Sequence, residues 1–304
     1  MKKAIVTGAS GFIGKQLVAE LLSRNVEVVA IDIRFNDVLL NNDKVVCVNC
    51  TDKSPFDLEE SLREQKADTF FHLAWVGTSG ELRADYNLQL DNVRVACDYV
   101  VLASRINCNR FIYASSITEM ETYEYLQSDK PKPTGGYVYG AGKLAAHLMC
   151  ETVAKLNNVE FIPVIITNIY GAGEKSARLV NTSVRKLLNG EHCSFTEGYQ
   201  MYDFIYITDA ITSIVEVAEK GGAFNRYYIG SGNPKPLREY LLEMRDVVAP
   251  GAELGLGDVP FSGIDIDYSQ FKLKKVEEDT GYKNKISFRD GIKKTMEFIK
   301  SENR

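Results

Sequence analysis

Cysteine is scarce in this chain of 304 residues: six (Cys47, Cys50, Cys97, Cys108, Cys150 and Cys193) are scattered through apolar runs, which excludes a disulfide framework and reads as reduced core residues. Cys47 and Cys50 have the spacing of a redox or metal motif, but "KVVCVNC" reads as a strand, which points the two to opposite faces. No second Cys or His pair lies near to complete a metal site. Histidine is limited to His72, His147 and His192, which show no metal spacing and receive no catalytic role. Basic excess is missing too: a net charge of -5 argues against a general nucleic-acid binder, which needs a basic face. No apolar run approaches the ~20 residues of a membrane span. The first residues pass from two lysines straight into a strand-like stretch, without the apolar core and cleavage site of a signal peptide, so the cytoplasm is the expected location and no membrane partner is expected.

What is present is ordinary globular composition. Hydrophobic residues at 45% and charged residues at 25% exclude disorder and fibrous repeats, and the length suits one large domain or two smaller ones. From residue 3 to about 166, β-rich runs ("AIVTG", "VEVVAID", "KVVCVN", "DTFFHLA", "RFIYASS", "EFIPVIITN") alternate with amphipathic stretches such as "GKQLVAELLSR", "LDNVRVACDYVVLASR" and "GAGKLAAHLMCETVAKL". That alternation predicts an α/β fold with crossover helices on both faces of a parallel sheet. After residue 167 the rhythm loosens: "SARLVNTSVRKLLNG" reads as a helix, "DFIYITDAITSIVEVAEK" as strand then helix, and the tail as a closing helix. The expected division is a dinucleotide-binding part over 1–166 and a substrate-binding region over 167–304, interleaved with the first.

The glycines of "TGASGFIG" (Gly8, Gly11, Gly14) stand between the first strand and the first helix. There one glycine permits a tight turn, one lets the backbone approach a pyrophosphate, and one lets the helix pack closely on the strand. The helix N-terminus offers free N–H groups and partial positive charge to the phosphates. Asp32 ends the second strand about 20 residues on, where a carboxylate accepts the ribose hydroxyls. It favours NAD, because a 2′-phosphate would be repelled there; Arg34 leaves NADP open.

A second signal is "YVYGAGKLAAH". Tyr139 and Lys143 stand four apart at the start of a helix and so share a face. A tyrosine used as a base near neutrality must drop about three units from its pKa of about 10, roughly 4 kcal/mol, which an adjacent ammonium and a cationic nicotinamide ring can supply. Tyr268 and Lys272 share the spacing, but only Tyr139 follows a fifth parallel strand, whose C-terminal end is where ligands bind in such sheets. That strand, "RFIYASSIT", delivers Ser115, Ser116 and Thr118 to the same edge, either to bond a sugar oxygen or to satisfy local backbone.

With TGASGFIG, Asp32, "FHLA", "YASSIT", Tyr139-Gly-Ala-Gly-Lys143, "TNIYGAGE" and "YDFIYITDA" in this order, the chain resembles the extended short-chain dehydrogenase/reductases, and within them the nucleotide-sugar epimerase/dehydratase branch. The resemblance implies a Rossmann-type doubly wound parallel sheet with a smaller C-terminal α/β substrate-binding region. It implies Tyr139 as acid/base, Lys143 on the nicotinamide ribose, and Ser116 at the family's Ser/Thr position. Gly8, Gly11, Phe12, Ile13 and Gly14 would cradle the pyrophosphate, Asn49 and Cys50 would flank the adenine, and Leu73 and Ala74 would line the cofactor. Thr118 and Asn168 join Ser116 as substrate contacts, Asn168 at the diphosphate of a nucleotide-diphosphate sugar.

Departures from the family narrow the reaction. The Asp-Glu pair that follows the catalytic Thr of dehydratases is replaced by Ile117 and Thr118, which argues against a dehydratase. A 4-epimerase and a 4-ketosugar reductase remain, with Asp32 favouring the epimerase; a non-catalytic dinucleotide sensor is the third reading. Ile165 and Tyr202 replace two arginines of relatives, leaving Asn168 and Lys175, Arg178 or Arg185 for the diphosphate, unless those cations are merely a solvated face. Trp75, the only tryptophan, replaces a small residue and either walls the sugar pocket or fills core. The family's dimerisation implies a homodimer through the two long helices, whose apolar residues could equally all face the sheet.

Overall fold

The computed structural model of the protein describes residues 1–129 and 133–302. Its first half is a run of strand–helix units: β1 (Lys3–Thr7), α1 (Phe12–Ser23), β2 (Glu27–Asp32), α2 (Asp37–Leu40), β3 (Val45–Asn49), α3 (Glu59–Arg63) and β4 (Thr69–His72). There follow α4 (Tyr86–Arg105), β5 (Arg110–Ser116), α5 (Thr118–Leu126), α6 (Gly135–Leu156), β6 (Glu160–Ile166) and β7 (Asn168–Tyr170). The second half supplies α7 (Leu179–Leu188), the short strands β8 (Ser194–Phe195), β9 (Met201–Tyr202) and β10 (Phe204–Tyr206), then α8 (Ile207–Lys220) and β11 (Tyr227–Ile229). It closes with β12 (Lys235–Pro236), α9 (Leu237–Val248), β13 (Gly255–Leu256), α10 (Lys275–Thr280) and α11 (Phe288–Glu302).

Seven strands form one sheet in the order β11-β6-β5-β4-β1-β2-β3, every neighbouring pair parallel. Parallel strands need crossovers, and helices cover both faces as the near-continuous apolar strands require. Alternation sorts the residues. Ala4, Val6, Val28, Ala30, Phe71 and Ile112 join the core with α1 and α8, while Ile5, Val29, Ile31, Phe70, Phe111 and Tyr113 join the one with α4 and α6. Cys47 packs against the first cluster and Cys50 against the second, on opposite faces as the strand reading expects. All six cysteines are free thiols.

The region after 167 feeds back into the sheet, since β11 pairs with β6 and α8 packs on α1. Two aspartates tie it down. Asp203, fully buried, accepts bonds from the Tyr228 hydroxyl (2.6 Å), the backbone N–H of Ser231 and Gly232 (3.0 Å each) and the Ser231 hydroxyl. Asp209 accepts from the Tyr282 hydroxyl (2.7 Å) and the N–H groups of Lys285 and Ile286 (2.9 and 2.7 Å), anchoring the segment before α11. Among the described residues no helix is long and apolar enough to cross a membrane, and no group of three His, Cys, Asp or Glu could hold a metal ion.

Candidate active site

The glycine turn opens at the C-terminal end of β1. Gly8 adopts φ +69°, a left-handed conformation natural to glycine, and a Cβ there would stand 3.0 Å from the Ala74 nitrogen. Gly14 sits in the first turn of α1, where a Cβ would fall 2.0 Å from the Gly8 carbonyl oxygen and 2.9 Å from Ala9 backbone. Gly11 is the N-cap of α1 with no side-chain cap and no acidic residue in the first turn, so the helix end keeps N–H donors for an anion. Phe12 and Ile13 turn inward onto the core, which leaves their backbone to face the turn. Thr7 braces the opposite wall: its hydroxyl oxygen accepts the N–H groups of Leu73 and Ala74, both at 3.2 Å.

At the edge of β2, the Asp32 carboxylate accepts the N–H of Ser10 at 2.8 Å and of Ile33 at 2.7 Å. Asn49 donates its amide to the Ile33 carbonyl (3.0 Å) and accepts from the Thr51 N–H (2.9 Å), and the Cys50 N–H bonds the Asp32 carbonyl (3.1 Å), so these two close the strand ends beside the carboxylate. Arg34 is exposed just beyond.

Tyr139 and Ser116 meet across the C-terminal end of β5. The Ser116 hydroxyl donates to the Thr118 hydroxyl at 3.2 Å and accepts the Thr118 N–H at 3.3 Å. Burial pushes the Tyr139 phenol above its ordinary pKa, and Ser116, Arg83 and then Arg178 pull it back down. The ammonium of Lys143 does something other than the adjacent cation expected beside Tyr139: it donates 2.8 Å to the Ala114 carbonyl and rests 3.7 Å from the centroid of Trp75. Burial brings its pKa down to about 7, with the Glu119 charge the largest opposing influence. Ser115 departs from expectation. Successive strand residues point to opposite faces, and its hydroxyl donates to buried Glu119 instead of sharing the edge with Ser116.

A cavity of about 330 Å³ opens from Ser116, Thr118 and Tyr139 to Asn168, Tyr202 and Arg178. Asn168 lines it, with its amide donating to the Asp203 carbonyl at 3.4 Å. Of the three basic residues offered for a diphosphate, only Arg178 reaches this wall; Arg185 and Lys175 pair with Glu302 at 2.6 and 3.7 Å. Tyr202 stacks on Phe204 (centroids 5.6 Å apart), and Ile165 packs with Ile117, Tyr228, Ile266 and Tyr268. Sequence reasoning missed Arg83, which lies in a single 3-10 turn (Glu81–Ala84) just before α4. Its guanidinium covers the Tyr139 ring at 4.7 Å, and its Nε is buried without a hydrogen bond. It also missed the buried pair of Glu119 and His147 (3.0 Å), for which only the spacing of His147 four residues after Lys143 offered a hint.

Comparison with known proteins decides the family. The model of the NAD dependent epimerase/dehydratase family matches residues 4–230. This chain belongs to that family. The family member is 23% identical to the CDP-abequose synthase of Salmonella typhimurium, with 96% of each chain covered. It is 24% identical to the UDP-glucose 4-epimerase of Mycolicibacterium smegmatis, with 99% of each covered. The UDP-glucuronic acid 4-epimerase of Bacillus cereus, solved with UDP-glucuronic acid and NAD, shares the fold at a TM-score of 0.77, with 21% identity and 99% of each chain covered.

NAD is the cofactor of this epimerase/dehydratase-family enzyme, and its own residues fit it. The strand-to-helix turn has no room for a side chain at Gly8 or Gly14, the α1 terminus is uncapped, and a carboxylate ends β2. Two further glycines shape α6 of the family member. A Cβ on Gly140 would fall 2.6 Å from the Thr118 carbonyl, and one on Gly142 would touch Gln89 (3.3 Å) and Trp75 (3.5 Å), so α5 and the indole pack directly on α6.

Proposed function

We propose that the protein is an NAD-dependent nucleotide-sugar 4-epimerase that works by transient oxidation at C4 of the sugar. The observation that carries this reading is the placement of Tyr139 and Ser116 in the wall of one cavity of about 330 Å³ at the C-terminal end of β5, with the Lys143 ammonium buried on the Ala114 carbonyl of the same strand. NAD, when bound, supplies the acceptor and then the donor of a hydride at C4.

The protein's part is proton transfer and positioning. Tyr139 Oη, ionised with the help of the positive charge that bound NAD would add to the site, would take the proton of the C4 hydroxyl as the carbonyl forms and return it after the keto sugar has turned its other face. Ser116 holds the same oxygen, and Thr118 supports Ser116. Lys143 holds the nicotinamide ribose. Asn168 and Arg178 take the diphosphate, with Arg83 a second cation in the same cavity, in place of the arginines absent at Ile165 and Tyr202. The exposed apolar residues Leu90, Leu148 and Met149 on α4 and α6 support a homodimer through these helices.

A second reading, reduction of a nucleotide-4-keto-6-deoxysugar, is supported by Arg34, which leaves NADPH open, and by the relative whose name is a synthase. The deciding experiment incubates the protein with UDP-, dTDP-, CDP- and GDP-sugars and their 4-keto derivatives, with and without NADPH. Epimerisation without added reductant, with NAD retained on purification, supports the epimerase. NADPH consumed only with a 4-keto sugar replaces it with the reductase, and dinucleotide binding without any turnover replaces both with a sensor.

A further inference from the structure

Lys143 is 4% exposed and has no ion pair among the described residues. Its Nζ donates to the Ala114 carbonyl at 2.8 Å and stands over the face of Trp75 at 3.7 Å from the ring centroid, with the Tyr113 ring at 5.3 Å. We propose that Trp75 is a positioning residue for Lys143, whose buried ammonium it holds on its indole face toward the cofactor ribose. The inference rests on the proposed function only for the role of Lys143 at the ribose.

The indole is itself held from behind. Trp75 Nε1 donates to Gln89 Oε1 at 2.8 Å. Gln89 is 2% exposed, and its amide nitrogen donates to the Gly77 and Leu82 carbonyls at 3.3 and 3.2 Å. Both amide protons are therefore committed to carbonyls, which leaves Oε1 as the acceptor that a donor-only indole needs. Gly142 provides the space, since a Cβ there would already touch both Trp75 and Gln89.

The other groups around the ammonium do not replace the indole. Glu119 of α5 is engaged by His147 of α6 at 3.0 Å and by Ser115 of β5. His72 of β4 is held neutral, its pKa brought by burial to about 3, and Cys150 of α6 and Tyr113 of β5 are buried acids pushed up and so uncharged. Tyr139, on the same helix, is likewise raised. A desolvated ammonium over an indole gains on the order of 10- to 30-fold in favour of its charged form.

Trp75 is the only tryptophan, so emission excited beyond the absorption of neutral tyrosine reports it alone. Emission of the full chain, titrated from about pH 5 to 10, is expected to show a transition from the Lys143 ammonium, removed in Lys143→Met. A transition unchanged in that variant overturns the proposal. Binding of NAD measured by calorimetry provides the second arm. Trp75→Phe, which keeps a ring face, should bind within about threefold of the parent, and Trp75→Leu should lose on the order of 10-fold or more at pH 8, with a smaller loss at pH 6 where the ammonium forms unaided. Equal losses at both pH values in Leu and Phe variants, with circular dichroism unchanged, would reduce Trp75 to a packing residue. Neither readout requires a sugar substrate or turnover, so failure here and failure of the epimerase reading are separable.

Discussion

Replacing Lys143 by methionine is expected to stabilise the protein while destroying its chemistry. The ammonium is buried, and its pKa falls from 10.5 to about 7. At 1.36 kcal/mol per unit, that fall means the native state holds the proton about 5 kcal/mol less well than the unfolded chain does. That figure is already net of the Trp75 face; methionine leaves the Ala114 carbonyl without its donor, at about 1–3 kcal/mol, so its net gain is roughly 2–4 kcal/mol. The sign follows from proton counting. Below about pH 7 both states of the parent are protonated and the full penalty is present; between about 7 and 10.5 the unfolded chain binds more protons, so parental stability rises with pH. Above that window the penalty is gone. Urea unfolding of both proteins at intervals from pH 6 to 10.5 isolates Lys143, because tyrosine and cysteine titrations are common to both. Lys143→Met should be the more stable protein at pH 6, with its advantage shrinking through the window. A stability difference independent of pH would refute the reasoning, since it would mean that the native state does not depress the lysine.

Tyr139→Phe should lower kcat by at least about 10²-fold while NAD remains bound, as read by turnover and ultraviolet absorbance of the purified protein; full activity would remove the proton-transfer role. Gly14→Ala puts a methyl group 2.0 Å from the Gly8 carbonyl, so calorimetry should find NAD binding lost or weakened more than about tenfold, together with a lower Tm. Asp203→Asn replaces with an NH₂ group one of two oxygens that each take two donors, and urea unfolding should report a loss of about 2–4 kcal/mol. Leu148→Glu combined with Met149→Glu, both on the exposed side of α6, should convert a dimer to a monomer in light scattering without lowering Tm by more than a few degrees.

Local rules were enough for much of the dinucleotide end. The six strands from "AIVTG" to "EFIPVIITN" fall on β1 to β6, because each is an apolar, β-branched run bounded by turn residues. The left-handed turn at Gly8, the crowding at Gly14 and the strand-end place of Asp32 were legible for the same reason, since each depends on position within one β–α–β unit. Helix α5 and strand β11 were not. The first is a short helix with the aromatic and polar residues "TEMETYEYL", and the second spans only three residues, whose strand character comes from pairing with β6. Ser115 was assigned to the wrong side because three hydroxyls in a row look equivalent until strand alternation separates them.

By itself, the sequence determined the α/β class, the glycine turn and the spacing of Tyr139 and Lys143, all of them consequences of chain periodicity over a few residues. Only the tertiary structure decided which cations surround Tyr139. Arg83 and Arg178 lie 95 positions apart by their numbers, and it is the folding of their two segments around one cavity that brings both to bear on a single phenol. The environment of Lys143 was decided in the same way, by Trp75 from beyond β4 and Glu119 from α5. A buried charge is governed by the groups that exclude water around it, and those come from segments that chain order does not place side by side.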